Sequence, residues 1–423
     1  MTRAVRVGLL SSEPIRPACG GIGVRYLELA RRLPALGFDV VLVSPADVGI
    51  TAACGLDPRR VRTSAGGQLA EAFADRDVAV AQGQLANDLL LARPDLPVAI
   101  DLYDPWLIEN LHYASTLGYG PYRNDHATWV LQLSRGDFFL CSSAEQRLFY
   151  LGFLLALGRV NPDRLAGDPE LAGLIAAVPF GVDAALPPRR DLLPPRRTGE
   201  RRLLFGGLYD WYDPWTALDA LGRIEDPGAS LWFVRNPNPE ATPQRLFDQV
   251  ESEARRRGWW GQRVVALDWV PAERRFDLLA EVDALVATHL PGLETDLAMR
   301  TRFLDAFVAG CPAVTSAGGA VARLVAERDA GWVVPPGDAA ALAAALRAVI
   351  AGGRDVARRI DNARALAAEF AWERTLAPLA RFLRAPASDP SKDRFGFRPP
   401  TIAPPDSLGR RLHRWIARRR AGA

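Results

Sequence analysis

The chain has 423 residues, of which 49% are hydrophobic and 24% charged, and its formal net charge is +3. This length exceeds what one hydrophobic core usually serves, so we expect two domains, and the composition excludes a largely disordered chain. The charge is uneven: residues 387–423 carry nine basic and three acidic side chains, so the rest of the chain is net acidic. Because a nucleic-acid-binding protein carries its basic surface on the folded body, no nucleic-acid partner is expected.

Cysteine and histidine usage predicts no structural metal site. The four cysteines are far apart in sequence, and none of the four histidines is paired at i, i+4, so a structural zinc site is not expected and reduced thiols suit a cytoplasmic protein. The strand-like run VRVGLL follows Met1 almost directly, without the pattern of a signal peptide. The longest apolar run, residues 148–158, covers about half a bilayer span. We therefore expect a cytoplasmic protein that is soluble or peripheral to the membrane.

The first half of the chain predicts strands alternating with helices. A helical apolar stripe lies at 24–33, and strand-like runs lie at 5–10, 38–45, 78–83, 97–103 and 138–143. These runs are apolar throughout instead of alternating, which is typical of strands buried on both faces in a parallel sheet. They predict one doubly wound α/β domain over residues 1–185.

The pattern restarts after a Pro- and Arg-rich stretch at 186–200, which we interpret as an interdomain linker. Further strands are predicted at 202–207, 230–235, 264–270, 282–289, 312–316 and 331–336. Helical patterns lie between or after them at 243–257, 271–280, 297–309, 319–329 and 338–351. We expect a second doubly wound domain over 201–371, a C-terminal helix over 372–386 that braces the first domain, and a basic tail over 387–423.

Two glycine loops are candidates for contacting a phosphorylated ligand. Gly20, Gly21 and Gly23 precede the first helix, where backbone N–H groups and the helix dipole favour an anion. Gly206 and Gly207 form a second glycine loop at the start of the second domain. Neither loop is a G-x-G-x-x-G fingerprint, so NAD is disfavoured. A tight turn remains the alternative for the first loop.

The segment from His289 to Gly310 carries the densest set of candidate site residues. Glu294 follows a predicted buried strand, where a carboxylate can point into a cleft, and the next helix carries Arg300, Arg302 and Asp305. The alternative is a surface pair between Arg302 and Asp305 at i, i+3 with Glu294 solvated.

Acidic residues in the first domain have both functional and structural interpretations. Asp101 and Asp104 end a predicted strand and are candidates for the acceptor side, or else turn-forming residues before Pro105. The D-x-D match at 75–77 is interpreted as structural because Asp77 immediately begins a strand. No metal site is predicted.

The segment 289–310, together with VPFG (178–181), GGLYDWYDPWTALDA (206–220), DLYDP (101–105) and GRVNP (158–162), resembles retaining glycosyltransferases of family 4, the group 1 enzymes. It is similar to the branch found among bacterial surface-polysaccharide and O-antigen transferases. The resemblance implies the GT-B fold, two Rossmann-like domains facing a cleft. It also implies a nucleotide-diphosphate sugar as donor, a saccharide or lipid-linked acceptor, and no cofactor or metal.

In this family two acidic residues, usually with seven residues between them, contact the donor. Glu294 takes the first place and Asp305 the second, with ten residues between them here. The family's basic clamp on the diphosphate is absent, since Leu208 and Asp213 stand in that region. We therefore assign the diphosphate to the two arginines that follow Glu294, because a guanidinium fork fits phosphate bidentately.

The resemblance also implies which other residues contact the substrates. Backbone contacts to the donor fall to Phe180, Gly181, Gly206 and Gly207, and Asp213 is placed at the donor as well. Asp104 joins Glu294 as a predicted catalytic residue. Retention by same-face displacement leaves the protein to supply positioning and electrostatics. The alternatives are a nucleotide-sugar epimerase of the same fold and a catalytically weak scaffold with this fold.

The basic tail predicts a membrane-surface helix. Leu408, Leu412, Trp415 and Ile416 form one helical stripe surrounded by arginines. A basic helix with a Trp-containing apolar face is typical of an interfacial anchor, so an anionic membrane surface is predicted to bind residues 406–420. Docking of the stripe on the protein's own surface is the alternative.

Overall fold

The computed structural model describes residues 3–392, except for 17–18, 47–48, 50–51, 53, 64–67, 184 and 237–244. Two parallel α/β sheets organise these residues, one on each side of the stretch 186–200. The predicted pair of doubly wound domains is therefore confirmed. Within the described part of the chain, no helix is both long and apolar enough to cross a membrane.

The first domain contains a parallel sheet of seven described strands in the order β3-β2-β1-β4-β5-β6-β7. The strands are β1 Arg6–Leu10, β2 Asp39–Ser44, β3 Val61–Thr63, β4 Val78–Ala81, β5 Val98–Asp101, β6 Phe138–Cys141 and β7 Ile175–Ala177. The described helices are α1 Gly21–Arg32, α2 Leu69–Ala72, α3 Gly83–Ala92, α4 Trp106–Leu111, α5 Ala114–Leu117, α6 Tyr119–Arg135, α7 Ala144–Ala156 and α8 Pro162–Gly167. Every residue of β4, β5 and β6 is buried, as expected for strands covered on both faces.

The second domain contains a parallel sheet of six described strands in the order β10-β9-β8-β11-β12-β13. The strands are β8 Arg201–Gly207, β9 Ala229–Val234, β10 Val264–Leu267, β11 Ala284–Ala287, β12 Ala313–Ser316 and β13 Trp332–Val334. The described helices are α9 Pro214–Gly222, α10 Arg245–Arg256, α11 Arg275–Ala280, α12 Leu293–Leu297, α13 Thr301–Ala309, α14 Gly319–Glu327, α15 Ala339–Ala351, α16 Arg354–Ala368, α17 Trp372–Thr375 and α18 Ala377–Arg384. In both sheets the order reverses beside the first strand, which opens a crevice at the strands' carboxyl ends.

The sequence patterns missed two strands and the break in one helix. Strands β3 and β7 have three residues each, too few for periodicity to show. The helix predicted at 297–309 is two helices, because the chain leaves the helical conformation at Ala298 and re-enters it at Thr301. Glu294 therefore lies in a short helix, not in a loop.

The stretch 186–200 lies along the second domain. The backbone N–H of Arg190 donates to Asp277 at 2.9 Å, and those of Leu192 and Leu193 each donate to Glu281 at 2.8 Å. These carboxylates anchor a segment that forms neither helix nor strand. The linker is therefore attached to the second domain from Arg190 onward.

Helices α17 and α18 return to the first domain. Trp372 packs against Phe180 with 5.3 Å between ring centroids, and Phe382 stacks on Phe138 at 4.8 Å. The backbone N–H of Val182 donates to the carbonyl of Phe370 at 2.9 Å. The C-terminal helices thus bury aromatic surface of the first domain, within a core cluster that also includes residues of the second domain.

The beginning of the tail is fixed to the first domain, although its Pro-rich sequence without hydrophobic periodicity predicts an unstructured segment. Asp389 is almost fully buried and pairs with Arg159 and Arg164, each at 2.6 Å. Lys392, the only lysine in the chain, lies 2.7 Å from the buried Asp137. A buried cation needs a charged partner, and Arg159 and Asp389 satisfy each other. The predicted membrane helix at 406–420 lies outside the described residues.

We expect Asp389→Ala to lower the free energy of unfolding of the first domain by about 3 kcal/mol, because it leaves the buried Arg159 without its carboxylate. Urea unfolding followed by circular dichroism measures the change. The exposed carboxylate of Glu373 provides a matched control, and equal stability of the Asp389→Ala and Glu373→Ala variants would contradict the expectation.

Candidate active site in the interdomain cleft

The cleft between the two domains contains two adjoining cavities. The larger, of about 390 Å³, is lined mostly by polar and charged residues, and we call it the acidic cavity. The smaller, of about 270 Å³, has mostly apolar walls, and we call it the apolar cavity. Both are lined by Gly20, Gly21, Tyr209, Thr301 and Arg302. The two cavities therefore meet where the first glycine loop faces the start of α13.

The apolar cavity contains several of the residues predicted to contact the donor. Phe180, Gly206, Gly207 and Asp305 all line it, together with Trp269. Gly206 has a φ of +85°, and a side chain there would meet the Arg302 guanidinium at 2.6 Å. Only glycine tolerates both this positive φ and the close approach of the guanidinium, which explains why position 206, where β8 reaches the cleft, is a glycine.

Glu294 and Arg300 form a buried bidentate ion pair, with oxygen–nitrogen distances of 2.5 and 2.6 Å. The break between α12 and α13 makes the pair possible, because Arg300 lies outside both helices and folds back over the shorter one. Glu294 is 1% exposed, and Arg300 lines the acidic cavity in front of it. The interpretation of Glu294 as a solvated residue is therefore wrong. Glu294 does not line the cavity itself, but it orients Arg300, which does.

Arg302 lies at the junction of the two cavities. Its guanidinium donates to the carbonyl of Phe205 at 3.0 Å and to the hydroxyl of Tyr212. It also lies 5.0 Å from the centroid of the Tyr212 ring, and Arg300 lies 5.3 Å from the same ring. Tyr212, which lies in the segment 206–220 but was not among the predicted site residues, thus positions both arginines.

Asp305 lines the apolar cavity and pairs with Arg275 at 3.1 Å. Burial raises the pKa of this carboxyl, and Arg275 partly opposes the shift. The alternative pairing of Arg302 with Asp305 along the helix is therefore wrong. The cation that pairs with Asp305 is Arg275, at the start of α11.

The amides of the first glycine loop are occupied by a carboxylate of the protein itself. Glu13 accepts hydrogen bonds from the backbone N–H of Gly20 and, at 2.7 Å, from that of Gly23. A side chain at Gly23 would lie 2.7 Å from Cys19 and 3.2 Å from the Glu13 carboxylate. The glycines allow this close approach, and Glu13 supplies the anion that a helix N-terminus favours.

Three residues predicted for substrate contact have structural roles instead. Asp101 is fully buried and pairs with Arg25 at 2.6 Å. Asp213 is the N-cap of α9, where its carboxylate accepts from the Thr216 backbone N–H at 3.1 Å. Gly181 leaves room for the Trp372 ring, which a side chain would meet at 2.3 Å. None of the three lines either cavity.

The D-x-D match at 75–77 is also occupied by ion pairs. Asp75 pairs with Arg76 at 2.6 Å, and Asp77 pairs with Arg3 and Arg6 at 3.0 and 3.1 Å. Among the residues that the structure describes, no group of three His, Cys, Asp or Glu side chains could hold a metal ion.

Asp104 and Glu109 are neighbouring carboxyl groups in the wall of the acidic cavity. Burial, followed by the nearby carboxylates, raises the pKa of Asp104 to about 6. Burial and then Asp104 raise the pKa of Glu109 well above its usual value. When two carboxyl groups are close together, ionising both is unfavourable, and the pair can keep one proton between them. Such a pair can both donate and accept hydrogen bonds near neutral pH.

The raised pKa values mean that the folded protein retains protons which the unfolded chain releases as the pH rises from about 4 to 6. Stability is therefore lost as the pH rises through this window. Glu109→Gln removes the repulsion, so we expect the variant to be more stable than the wild type at pH 7.5. The gain should be about 1 kcal/mol, after discounting for partial exposure, and should shrink toward pH 4.5.

Thermal unfolding across pH 4.5–8 measures this difference, with Glu71→Gln at an exposed position of α2 as the control. A gain for Glu109→Gln that is the same at every pH would show that the pair does not titrate in this way.

Part of the second domain is similar in sequence to a known protein family. Residues 202–352 match the family profile described as glycosyl transferases group 1. A search of curated proteins by sequence found no match.

Several solved structures share the fold over about nine tenths of this chain. HepE from Anabaena, crystallised with UDP and glucose, is 17% identical with a TM-score of 0.66, over 90% of this chain and 99% of that one. Sucrose-phosphate synthase from Thermosynechococcus elongatus is 17% identical with a TM-score of 0.63, over 90% and 98%. WaaG, a glycosyltransferase involved in lipopolysaccharide biosynthesis, is 16% identical with a TM-score of 0.58, over 90% and 100%.

The shared fold confirms the predicted GT-B architecture, and the profile match lies on the domain predicted to bind the donor. Together they indicate a glycosyltransferase and confirm the predicted enzyme class.

Proposed function

We propose that this glycosyltransferase moves a sugar from a nucleotide-diphosphate sugar to a saccharide or lipid-linked acceptor, with retention of configuration, in polysaccharide or glycoconjugate biosynthesis. The observation that carries the proposal is the pair of cavities that meet at Arg302. A nucleotide sugar has the same sequence of parts: a flat nucleoside, a doubly charged linker and a hydroxyl-rich ring.

The apolar cavity suits the nucleoside. Trp269 and Val234 offer apolar surface to a base, and Asp305 offers a carboxylate to a ribose hydroxyl. HepE, which shares the fold, holds UDP and glucose in one crystal structure and UDP-glucose in another, which supports a nucleotide-sugar donor and makes UDP-glucose the first donor to test.

The junction suits the diphosphate. Arg302 is the guanidinium common to both cavities, and Thr301 beside it begins α13, whose N-terminal amides favour an anion. In the acidic cavity, Arg300 is held toward the cleft by Glu294. We therefore assign Arg302 to the diphosphate, while Arg300 lies where the phosphate and the sugar join. Glu294 is a positioning residue that acts through Arg300.

The reaction follows from this placement. The acceptor hydroxyl forms its bond to the anomeric carbon on the face from which the diphosphate leaves, and the departing phosphate oxygen takes the hydroxyl proton. Negative charge develops on that phosphate, where preorganised guanidinium groups stabilise it. The chain's contribution is to align the two substrates and to balance this charge.

The acceptor approaches from the first domain, because Asp104 and Glu109 line the opposite wall of the acidic cavity. The match to the group 1 glycosyltransferase profile supports transfer over epimerisation, which needs no second substrate. The likeness to WaaG, which is involved in lipopolysaccharide biosynthesis, supports a role in surface-polysaccharide assembly.

A panel of nucleotide sugars, incubated with and without saccharide and lipid-linked acceptors, tests the proposal. Nucleotide release that depends on the acceptor supports transfer, and an anomeric proton coupling in the product that matches the donor supports retention. Conversion of the nucleotide sugar alone to its epimer would contradict the proposal.

Loss of the junction cation should weaken nucleotide binding. We expect Arg302→Ala to reduce nucleoside-diphosphate affinity by about 1.5–3 kcal/mol, the scale of a charge-assisted hydrogen bond. Titration calorimetry measures the change, with the exposed Arg354 of α16 as the control position. Unchanged affinity in Arg302→Ala would leave backbone amides as the diphosphate site.

Neutralising the partner of Arg300 should impair catalysis. We expect Glu294→Gln to lower kcat/KM at least about 100-fold, roughly 2.7 kcal/mol, because Arg300 loses the carboxylate that directs it into the cavity. Asp296→Asn, at an exposed position of the same short helix, is the matched control. Equal turnover in the two variants would remove Glu294 from the mechanism.

If the acceptor is lipid-linked, the basic tail would serve to bind the enzyme to the membrane surface where that acceptor lies. We expect deletion of residues 405–423 to abolish salt-sensitive binding to anionic vesicles and to spare nucleotide binding. Vesicle sedimentation measures both the binding and its salt dependence. If the full-length protein ignores such vesicles at low salt, the acceptor is soluble instead.

A further inference from the structure

We propose that Glu13 is a specificity-determining residue. Its carboxylate fills the anion site at the start of α1, and with Asp104 and Glu109 it restricts the acceptor to a saccharide unit that carries no phosphate or other negative charge. The inference rests on the proposed function, since it concerns the acceptor half of the same cleft.

Two amides of the first glycine loop, those of Gly20 and Gly23, already donate to a carboxylate, which opposes the binding of a phosphate there. Gly20 and Gly23 offer their backbone N–H groups at the N-terminus of a twelve-residue helix, the usual setting for binding a phosphate. Both groups donate to Glu13 instead. The first turn of the helix contains no acidic residue of its own, so Glu13 supplies the anion from the preceding loop.

Glu13 is held firmly in this place. The hydroxyl of Ser11 donates to the carbonyl of Glu13 at 2.8 Å, which fixes the backbone directly after β1. The absence of side chains at Gly20 and Gly23 then lets the carboxylate lie against the loop. An incoming phosphate would have to displace a carboxylate that already has two hydrogen bonds and a favourable helix dipole.

Charge is distributed unequally across the acidic cavity. On the first-domain wall, the charged residues among those described are Glu13, Asp104 and Glu109, and none of the lining residues there is cationic. Both cations, Arg300 and Arg302, belong to the second domain, where the donor's diphosphate requires them. A charged acceptor would therefore face like charges at close range, whereas neutral hydroxyls can donate hydrogen bonds to the same carboxylates.

Matched acceptors test the inference with the full-length chain and the donor found in the panel. We expect kcat/KM for glucose and N-acetylglucosamine, or for oligosaccharides ending in them, to exceed that for the corresponding 6-phosphates by at least about 30-fold. Glu13→Gln keeps the size of the side chain and removes its charge, so this ratio should fall about 10-fold. Glu71→Gln should leave it unchanged. A wild-type preference for the phosphorylated member, or a ratio that Glu13→Gln does not alter, would overturn the inference.

A binding measurement separates this inference from the proposed function, because it needs no turnover. Saturation-transfer NMR follows glucose 6-phosphate on enzyme saturated with a nucleoside diphosphate, so that the arginines of the second domain are occupied. We expect no binding to the wild type at millimolar concentration and a gain of binding in Glu13→Ala. Binding to the wild type, or exclusion that persists in Glu13→Ala, would overturn the role of Glu13 whether or not any sugar is transferred.

Discussion

The site depends on the way a parallel sheet directs its loops. All strands of each sheet run in one direction, so the loops at their carboxyl ends share one edge, and the two edges face each other across the cleft. Glu13 follows β1, Asp104 follows β5, Tyr209 follows β8, and the segment with Glu294 and Arg300 follows β11. Residues far apart in sequence therefore line two adjoining cavities without any single segment containing the site.

Charge is divided between the two sides of this cleft. The second domain provides the guanidinium groups of Arg300 and Arg302, each oriented by the phenol of Tyr212 and by a carboxylate or a carbonyl. The first domain provides carboxylates, one of them already bound to backbone amides. Such a division suits a reaction in which the anionic leaving group stays on one side and a hydroxyl arrives from the other. It is also consistent with the buried Arg25, which lines neither cavity and is neutralised by Asp101.

Much of the fold was predictable, because continuous apolar runs in the sequence indicate strands that are buried on both faces of a parallel sheet. The location of Glu294 beside the cleft was predictable as well, since its segment follows a buried strand and resembles a known family. The role of Asp213 was not, because an Asp before Pro214 can cap a helix or face a ligand, and only the Thr216 hydrogen bond decides.

Pairings between distant segments could not be predicted from one sequence. Tyr212 contacts an arginine 90 residues away in sequence, so no local pattern indicates its role. Glu13 and Glu109 lie within about ten residues of their partners, but neither a motif nor a hydrophobic period indicates those contacts. The same limit explains the pairing of Asp305 with Arg275, which lies on another helix. The docked residues 388–392 are a similar case: a Pro-rich stretch predicts irregular backbone, but not that Asp389 neutralises the buried Arg159.

The central claim is that the two cavities together hold one nucleotide-diphosphate sugar, with Arg302 at the diphosphate. Amide hydrogen exchange with and without a nucleoside diphosphate tests it most directly, because it locates the ligand without assuming a reaction. The account predicts slower exchange in residues 204–212, 269–280 and 298–305, the segments that line the apolar cavity and the junction. Protection confined to any other surface, with these segments unchanged at saturating nucleotide, would contradict it.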